Sequence, residues 1–330
     1  MKVIGTALPS TTDAISYYRG LGPLMTMAKN QNIMVHNLTA FNWASLRQLS
    51  CLFMQRPYSN NHVDIFNECK YNNIPVWLDY DDLLMDMPTA NPNWIAYQKS
   101  SIKQNIEMLV RNADVITVST PYLGQQLLKW NENVVVLPNG IDVDAFPYRT
   151  ADCGERAKTF YWRGSHTHHK DVWTYADQII SAAEEHADWK FHFMADNLWF
   201  LTDRMKHEQT FIVDALPIEK YFAHLWRVKP SACFVPLHDH PFNRSKSNIA
   251  YLEAIFSGAM AIAPDWEEWR HPGCLLYNDN KSFREAFDVI ARGQVDVRKM
   301  TNDAWVYICD NFALNKINVK RRQVFERLIM

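Results

Sequence analysis

The sequence predicts an α/β fold in two halves, each with a mainly parallel sheet that helices cover on both faces. Short apolar runs rich in β-branched residues alternate with helix-length amphipathic segments along the chain. This rhythm stops near residue 140 and starts again near residue 159. Strands that alternate with helices form parallel sheets. A chain of 330 residues is long enough for two such domains.

The individual elements follow from the same pattern. Strands are predicted in the first half at 3–8, 33–37, 51–54, 74–78, 115–118 and 134–137, and in the second half at 159–162, 191–194, 211–214, 232–236, 260–263 and 274–277. Helices are predicted at 94–111, 122–130, 172–186, 218–226 and 247–256, with a helical tail at 301–330. We therefore expect a first domain over 1–148, a second over 149–310 that begins with a polar linker at 149–158, and a tail over 311–330.

The composition is that of an ordinary globular protein, with 48% hydrophobic and 21% charged residues. The net charge of −2 gives no general basic field for a nucleic-acid partner. The six cysteines show no Cys-x-x-Cys spacing, which is typical of reduced thiols. No signal peptide is apparent, and no apolar run reaches the roughly 18 residues of a transmembrane segment. We therefore expect a cytoplasmic protein.

The segment 241–264 carries the strongest chemical signal, because it predicts a loop, a helix, a glycine stop and a strand. Ser245 or Ser247 can cap the start of the helix, and Gly258 fits the left-handed position after its end. A helix N-terminus binds phosphate through its unpaired N–H groups and partial positive charge. Lys246 adds a full positive charge in the same turn.

Glu253 lies deeper in this helix, inside the apolar run 251–256. A carboxylate there is costly unless it has a partner; the alternative is a surface residue on an ordinary helix. The segment resembles the C-terminal motif of the large retaining glycosyltransferase family 4, which includes sucrose synthases and mannosyltransferases. That family carries Glu-x7-Glu before a Gly-x-Pro-Val strand. Its second Glu, which binds the nucleotide ribose, matches Glu253, and Ser245 stands in place of the first.

Other segments extend the resemblance. The Phe-Asn-x-x-Lys-Ser signature at 242–247 is similar to one sub-branch of the family. Residues 136–142 resemble its Pro-Asn-Gly-Val-Asp interdomain segment, 114–123 the strand and helix before it, and 162–171 the first strand and loop of its nucleotide-binding domain. The resemblance implies the GT-B fold, in which two Rossmann-like domains face each other and a C-terminal helix crosses back onto the first. It also implies a hexosyl- or pentosyltransferase that uses a nucleotide-diphosphate sugar as donor and retains the anomeric configuration.

The resemblance also implies the donor site. An Arg and a Lys of the family bind the diphosphate, and Arg163 and Lys246 match them as the catalytic residues. Fixed cations stabilise the negative charge that develops on the leaving diphosphate, so we expect no metal and no other cofactor. For Arg163, a structural salt bridge is the alternative. The remaining donor-binding candidates are Gly164, His169, Phe242, Asn243, Ser245, Ser247, Asn248 and Glu253.

The acceptor-side candidates lie in the first half. Arg19 and Gly22 belong to a stretch that resembles the family's glycine-rich loop, although a plain loop is the alternative. Asp81 and Asp82 follow a predicted strand, where sites form in such sheets, and resemble an Asp-Asp-Leu segment of the same sub-branch. An acidic helix start is the alternative.

Two alternatives involve metals. Asp79-x-Asp81 is the manganese-binding motif of the other glycosyltransferase fold, GT-A, but the second α/β half and the segment 241–264 argue against that fold. Histidine clusters at 166–169 and 238–240 contain ligand types that bind zinc, without its usual spacing. On the glycosyltransferase hypothesis, both clusters lie on loops that face the cleft.

Three function classes remain open: a glycosyltransferase, a nucleotide-sugar epimerase of the same architecture, and a non-catalytic protein that binds a nucleotide-sugar. The sequence leaves the acceptor unknown, and the family resemblance implies a glycan, a small molecule or a lipid. The second choice is a hydroxymethylated base in phage DNA, because a flipped base can enter such a cleft.

Overall fold

A computed structural model of the chain describes residues 1–11, 13–29, 31–38, 43–144, 155–195 and 198–330. It contains two six-stranded sheets. Every paired strand in both sheets runs parallel to its neighbour. The predicted α/β fold is therefore confirmed. The predicted boundary between residues 148 and 149 lies outside the described residues, as does the start of the linker.

The first sheet has the strand order β2-β1-β3-β4-β5-β6. Its strands are β1 (Lys2–Ala7), β2 (Ile33–Asn37), β3 (Cys51–Gln55), β4 (Val76–Tyr80), β5 (Val115–Val118) and β6 (Val134–Val136). The order changes direction between β1 and β3. Ligands of open α/β sheets bind at the carboxyl ends of the strands beside such a switch point.

The second sheet has the order β12-β11-β10-β7-β8-β9. Its strands are β7 (Ala157–Gly164), β8 (Lys190–Ala195), β9 (Thr210–Val213), β10 (Pro230–Phe234), β11 (Met260–Pro264) and β12 (Cys274–Tyr277). The switch point here lies between β7 and β10. All the predicted strands overlap observed ones, because buried parallel strands are short apolar runs that stand out from the sequence around them.

Helices connect the strands of both halves. Those of the first half are α1 (Ala14–Arg19), α2 (Leu21–Ala28), α3 (Trp43–Leu46), α4 (Asn60–Tyr71), α5 (Trp94–Tyr97), α6 (Ser100–Asn112) and α7 (Pro121–Leu128). The others are α8 (His169–Thr174), α9 (Ala176–Glu185), α10 (Trp199–Thr202), α11 (Ile218–Val228), α12 (Pro241–Arg244), α13 (Ile249–Phe256), α14 (Asn280–Ala291), α15 (Val297–Asn311) and α16 (Leu314–Leu328).

Three predicted helices are each divided in two. The segment 94–111 breaks before α6, where Lys99 has an extended ψ of 130°. The segment 172–186 breaks at Tyr175, between α8 and α9. The tail breaks at Ala313, whose ψ is also 130°. Periodicity alone does not detect such breaks, because the apolar spacing continues through them.

The break at Ala313 lies where the chain returns to the first half. There Ile141, in the outgoing connection, donates its N–H to Phe312 O at 3.0 Å and accepts from the N–H of Leu314 at 2.8 Å. Gly140 lies beside this bridge, and a Cβ atom on it would come within 3.1 Å of the Leu314 Cα. The Pro-Asn-Gly motif therefore has a packing reason, since the backbones approach too closely for a side chain.

Beyond this bridge, α16 packs on α2. Val324 and Phe325 enter the same buried cluster as Ile4 and Leu24 of the first half. Asn318 donates a hydrogen bond to Pro23 O at 3.1 Å. The tail thus contributes to the core beneath the first sheet.

None of the described helices is long and apolar enough to cross a membrane. The cysteines in the described part of the chain are all unpaired, while Cys153 lies outside it.

Candidate functional site

A cavity of about 700 Å³ lies between the two sheets. It is lined by residues at or just beyond the carboxyl ends of β3, β4, β7 and β10, including Arg56, Asp82, Arg163 and Leu237. The ends of β3, β7 and β10 flank the switch points of the two sheets, where ligands of such folds bind. The volume is within the usual range of about 300–1,000 Å³ for small-molecule sites.

Glu253, on α13, joins the two walls of this cavity. Its carboxylate is 2% exposed and accepts three hydrogen bonds. Tyr18 Oη donates to Oε1 at 3.0 Å, while Arg163 Nε donates to Oε2 at 2.7 Å and Tyr221 Oη to the same oxygen at 3.0 Å. The partner that a buried carboxylate requires is therefore a cation supported by two phenols.

The ion pair between Arg163 and Glu253 carries the charge of this group, and the two phenols are neutral. Burial raises the pKa values of the Tyr18 and Tyr221 hydroxyls well above their usual range, and the charge of Glu253 raises them further, so both remain donors. Burial alone would lower the pKa of Arg163, but Glu253 raises it. The bond to Glu253 uses Nε, which leaves the two terminal nitrogens of a 29% exposed side chain for a ligand.

Lys246 forms the second link across the cavity. Its Nζ lies 3.2 Å from Oδ1 of Asp82. Arg56 binds both neighbouring carboxylates, with Nη2 at 2.8 Å from Asp81 Oδ2 and 2.6 Å from Asp82 Oδ2. Burial alone would raise the pKa of Asp82, but Lys246 and Arg56 lower it to about 2. An anionic ligand of Lys246 must therefore compete with a fully ionised aspartate.

The serines beside Lys246 have a different role from the predicted one. The N-cap of α13 is Asn248, without a side-chain capping bond, so the prediction that Ser245 or Ser247 caps this helix is wrong. Ser245 Oγ accepts from the Leu83 N–H at 3.3 Å, and Ser247 Oγ accepts from Asn139 Nδ2 at 2.7 Å. Both hydroxyls thus bond to the first half, and Ser245 Oγ also donates to Phe242 O at 2.7 Å.

A carboxylic acid already contacts the N-terminus of α13. The N–H of Asn248 donates to Oε1 of Glu268 at 3.2 Å. Burial raises the pKa of Glu268 to about 8. The helix start that the sequence indicates as a phosphate site is thus occupied by a side chain of the protein itself.

The two histidine clusters meet at Asp171, which is 3% exposed on α8. Nδ1 of His168 lies 3.0 Å from Oδ2, Nδ1 of His238 lies 2.5 Å from Oδ1, and Asn243 Nδ2 donates to Oδ1 at 2.7 Å. Burial alone would raise the pKa of Asp171, but the hydrogen bonds with both imidazoles lower it. Each imidazole is fixed through Nδ1, which leaves Nε2 for the cavity that both rings line.

Arg19 and Asp79 form a buried ion pair under the first-half wall, with Nε–Oδ1 at 3.1 Å and Nη2–Oδ2 at 2.6 Å. Thr117 also donates to Asp79 at 2.6 Å. The carboxylates of the Asp79-x-Asp81 alternative are therefore each paired with an arginine of the same half.

The predicted site residues divide into two groups. Those that line the cavity are Arg19, Asp81, Asp82, Arg163, Gly164, Phe242, Asn243, Lys246, Ser247 and Glu253. Those outside its lining are Gly22, His169, Ser245 and Asn248.

Gly22 and His169 lie outside the cavity lining because both pack against other parts of the protein. Gly22 lies in α2, where a Cβ atom would come within 2.3 Å of Tyr17 O. The ring of His169 packs against Phe200, with 5.9 Å between their centroids.

Several residues of the site were not predicted from the sequence: Tyr18, Arg56, Asn139, Asp171 and Tyr221. Tyr18, Asn139 and Asp171 lie inside segments that resemble the family. The sequence therefore indicated these segments as parts of the site, but not what these three residues do there. Arg56 has a positive φ of 49° directly after β3, a strained geometry that is common at functional sites and invisible in the sequence.

Comparison with known proteins finds no matching protein-family model and no significant match among curated proteins. Solved structures do match. A glycosyltransferase from Rickettsia africae ESF-5 has a TM-score of 0.67 at 10% identity, over 99% of this chain and 98% of that one. HepE of Anabaena, in complex with UDP-glucose, has a TM-score of 0.68 at 9% identity, over 99% and 100%.

A third structure is the UDP-forming α,α-trehalose-phosphate synthase of Burkholderia vietnamiensis, with a TM-score of 0.65 at 9% identity, over 99% and 97% of the two chains. The chain has the GT-B fold. Two Rossmann-like domains with parallel sheets face each other in it, and the cavity described above is the cleft between them.

Proposed function

We propose that the protein is a glycosyltransferase that moves a sugar from a nucleotide-diphosphate sugar to an acceptor bound in the GT-B cleft. The observation that carries this proposal is the pair of cations, Arg163 and Lys246, on the second-half wall of the 700 Å³ cavity. The neighbours support it, since HepE was solved with UDP-glucose and the synthase is described as UDP-forming. UDP-sugars are therefore the first donors to test.

The proposed chemistry follows from the charges. Cleavage of the bond from the anomeric carbon to the diphosphate leaves negative charge on the diphosphate. The terminal nitrogens of Arg163 and the Nζ of Lys246 are the groups that we expect to stabilise it. Glu253 holds Arg163 through Nε, which makes it a positioning residue in this proposal. Since cations supply the charge, we propose a reaction without a metal.

Finer features of the proposal rest on the sequence resemblance. We propose retention of the anomeric configuration, which NMR of the anomeric proton and carbon of the product tests. We also propose an acceptor domain over 1–148, a donor domain over 149–310 and a hinge-forming tail over 311–330. The unpaired cysteines support a reducing compartment such as the cytosol.

The test is a mass-spectrometric screen of the protein against a panel of nucleotide-sugars, with and without saccharide acceptors. We expect release of a nucleoside diphosphate from at least one donor, faster when an acceptor is present. Arg163→Gln should abolish the release. Arg204→Gln is the matched control, because Arg204 is exposed and pairs with Asp177 outside the cleft. Absence of turnover with every donor, or equal loss in both variants, would contradict the proposal.

A further inference from the structure

A smaller cavity of about 390 Å³ adjoins the main one. The two share lining residues, including Lys170 and His238. The segment after β4, from Met85 to Ala90, supplies one side of the smaller cavity, and His240 lies on the other side. Both halves of the protein therefore build it, and a molecule inside it would meet the contents of the main cavity along a common boundary.

The smaller cavity carries uncompensated positive charge. Lys103 and Lys170 line it, and within the described part of the chain neither forms an ion pair. Among the described residues of its lining, Asp86, which is exposed, is the one carboxylate. By contrast, the cations that line only the main cavity are paired with aspartate or glutamate: Arg19, Arg56, Arg163 and Lys246.

His240 adds a hydrogen-bond donor to this lining. Its Nδ1 accepts the N–H of Phe242 at 3.1 Å. A neutral imidazole that accepts at Nδ1 carries its proton on Nε2. The cavity thus offers two ammonium groups and one fixed N–H, all of which donate.

Apart from Thr89 and Gln98, the rest of the lining is mainly apolar. Trp94 presents an indole, and Met85 and Pro88 lie near it. An aromatic face beside a few polar donors binds a compact amphipathic molecule. A volume of about 390 Å³ is at the lower end of the range for small-molecule sites.

We propose that the smaller cavity binds the acceptor, and that the acceptor is a saccharide that carries a phosphate group. This inference rests on the proposed function. Lys103 and His240 bind the phosphate through charge-assisted and neutral hydrogen bonds, and the sugar ring packs against Trp94. The common boundary at Lys170 and His238 then places an acceptor hydroxyl beside the donor sugar.

The transfer step is a substitution at the anomeric carbon of the donor. The acceptor hydroxyl oxygen forms a bond to that carbon, and the bond from the carbon to the diphosphate oxygen breaks. The electron pair of the broken bond stays on the diphosphate, which also takes up the hydroxyl proton. No oxidant or reductant is needed.

Calorimetry of the full chain with glucose 6-phosphate, glucose and inorganic phosphate tests the inference, with and without UDP. Glucose 6-phosphate should bind at least about 10-fold more tightly than either of the others. Lys103→Ala should weaken it by about 10-fold or more, as expected when a hydrogen bond to a charged group is lost. Lys103→Arg should retain most of the affinity. Lys99→Ala is the matched control. Lys99 is exposed just before α6, the helix that contains Lys103, and it lines neither cavity.

A second experiment needs no substitution: the lysines of the parent protein are acetylated with and without ligand, and mass spectrometry measures how far each lysine has reacted. Glucose 6-phosphate should protect Lys103 and Lys170, and should leave Lys99 reactive. Equal binding of glucose and glucose 6-phosphate, or unchanged affinity in Lys103→Ala, would overturn the inference. Inorganic phosphate that binds as tightly as glucose 6-phosphate would overturn it too. Failure of UDP to bind contradicts the proposed function instead, and the titrations without UDP still decide the inference.

Discussion

Tyr18 and Glu253 connect the two halves of the molecule across the cleft, with 3.0 Å between the phenol oxygen and Oε1. The phenol comes from α1 of the first half and the carboxylate from α13 of the second. The same carboxylate holds Arg163 through its other oxygen. The position of Arg163, which we propose binds the diphosphate, therefore depends on contact between the halves.

Removal of this phenol should weaken both stability and transfer. Tyr18→Phe leaves Oε1 of a buried carboxylate without its donor, which costs about 1–3 kcal/mol. We expect a lower urea midpoint and a reduced kcat, because the halves lose a closing contact.

Tyr221→Phe and Tyr71→Phe are the controls for this change. Tyr221 donates to Glu253 from within the second half, so its loss should lower stability without opening the cleft in small-angle scattering. Tyr71 is 84% exposed and should have no effect. Identical scattering profiles for Tyr18→Phe and Tyr221→Phe would show that the Tyr18 contact does not hold the cleft closed.

The ion pair between Lys246 and Asp82 predicts competition with the donor. Lys246→Ala should weaken UDP binding by about 10-fold or more. Asp82→Asn should strengthen it, because the lysine then loses a competing carboxylate while Arg56 stays paired with Asp81. Calorimetry with UDP measures both. Unchanged affinity in Lys246→Ala would rule Lys246 out as a phosphate ligand.

The sequence predicted the strands well and the site only in part, for physical reasons that Glu253 illustrates. A glutamate within the apolar run 251–256 requires a partner, and that requirement is visible in the sequence. Two of its three partners, Tyr18 and Arg163, are 235 and 90 residues away along the chain. Only the packing of the two sheets brings them together, so the identity of the partners was not predictable from spacing.

Asp171 is a second residue whose role depends on contacts that the sequence does not show. The two histidine clusters suggested metal ligands because they are dense in imidazoles. In the fold, one aspartate binds one histidine from each cluster. The sequence pattern indicated the clusters but not the carboxylate between them, since a single Asp at the start of a helix usually only complements the helix dipole.

Glu268 predicts a pH-dependent stability. Its pKa in the folded state is about 8, above the value of about 4.3 for an exposed glutamate. The folded state therefore binds more protons than the unfolded state between these values, and stability falls as the pH rises through that window. A pKa that differs by one between the folded and unfolded states changes the free energy of unfolding by about 1.4 kcal/mol.

Glu268→Gln isolates this effect, because its amide oxygen still accepts from the Asn248 N–H. We expect urea midpoints of the variant to change little between pH 5 and 8, while those of the parent protein decrease. Parallel curves for the two proteins would contradict the assignment to Glu268.

The proposed absence of a metal makes a separate prediction. Transfer activity should persist in excess EDTA, because Arg163 and Lys246 supply the positive charge at the leaving group. A loss of activity that manganese restores would point instead to Asp79 and Asp81, and would require Arg19 and Arg56 to release them.

The bridge between Ile141 and Leu314 predicts how the halves move. The two chain crossings between the halves lie side by side there, joined by the 2.8 Å hydrogen bond from the Leu314 N–H to Ile141 O. Deletion of the tail would not test this bridge, because it would also remove Phe325 from the core of the first half.

A single proline gives a cleaner test of the bridge. Leu314 is the first residue of α16, a position that tolerates proline. Ala313 before it is already extended, with φ −64° and ψ 130°, as a residue before proline requires. Leu314→Pro therefore removes the bridging N–H and the leucine side chain, and the control Leu314→Ala removes only the side chain. If the bridge couples the two crossings, the proline variant should transfer sugar more slowly than the alanine variant while both bind UDP equally. Equal transfer rates would show that the hydrogen bond has no part in closure.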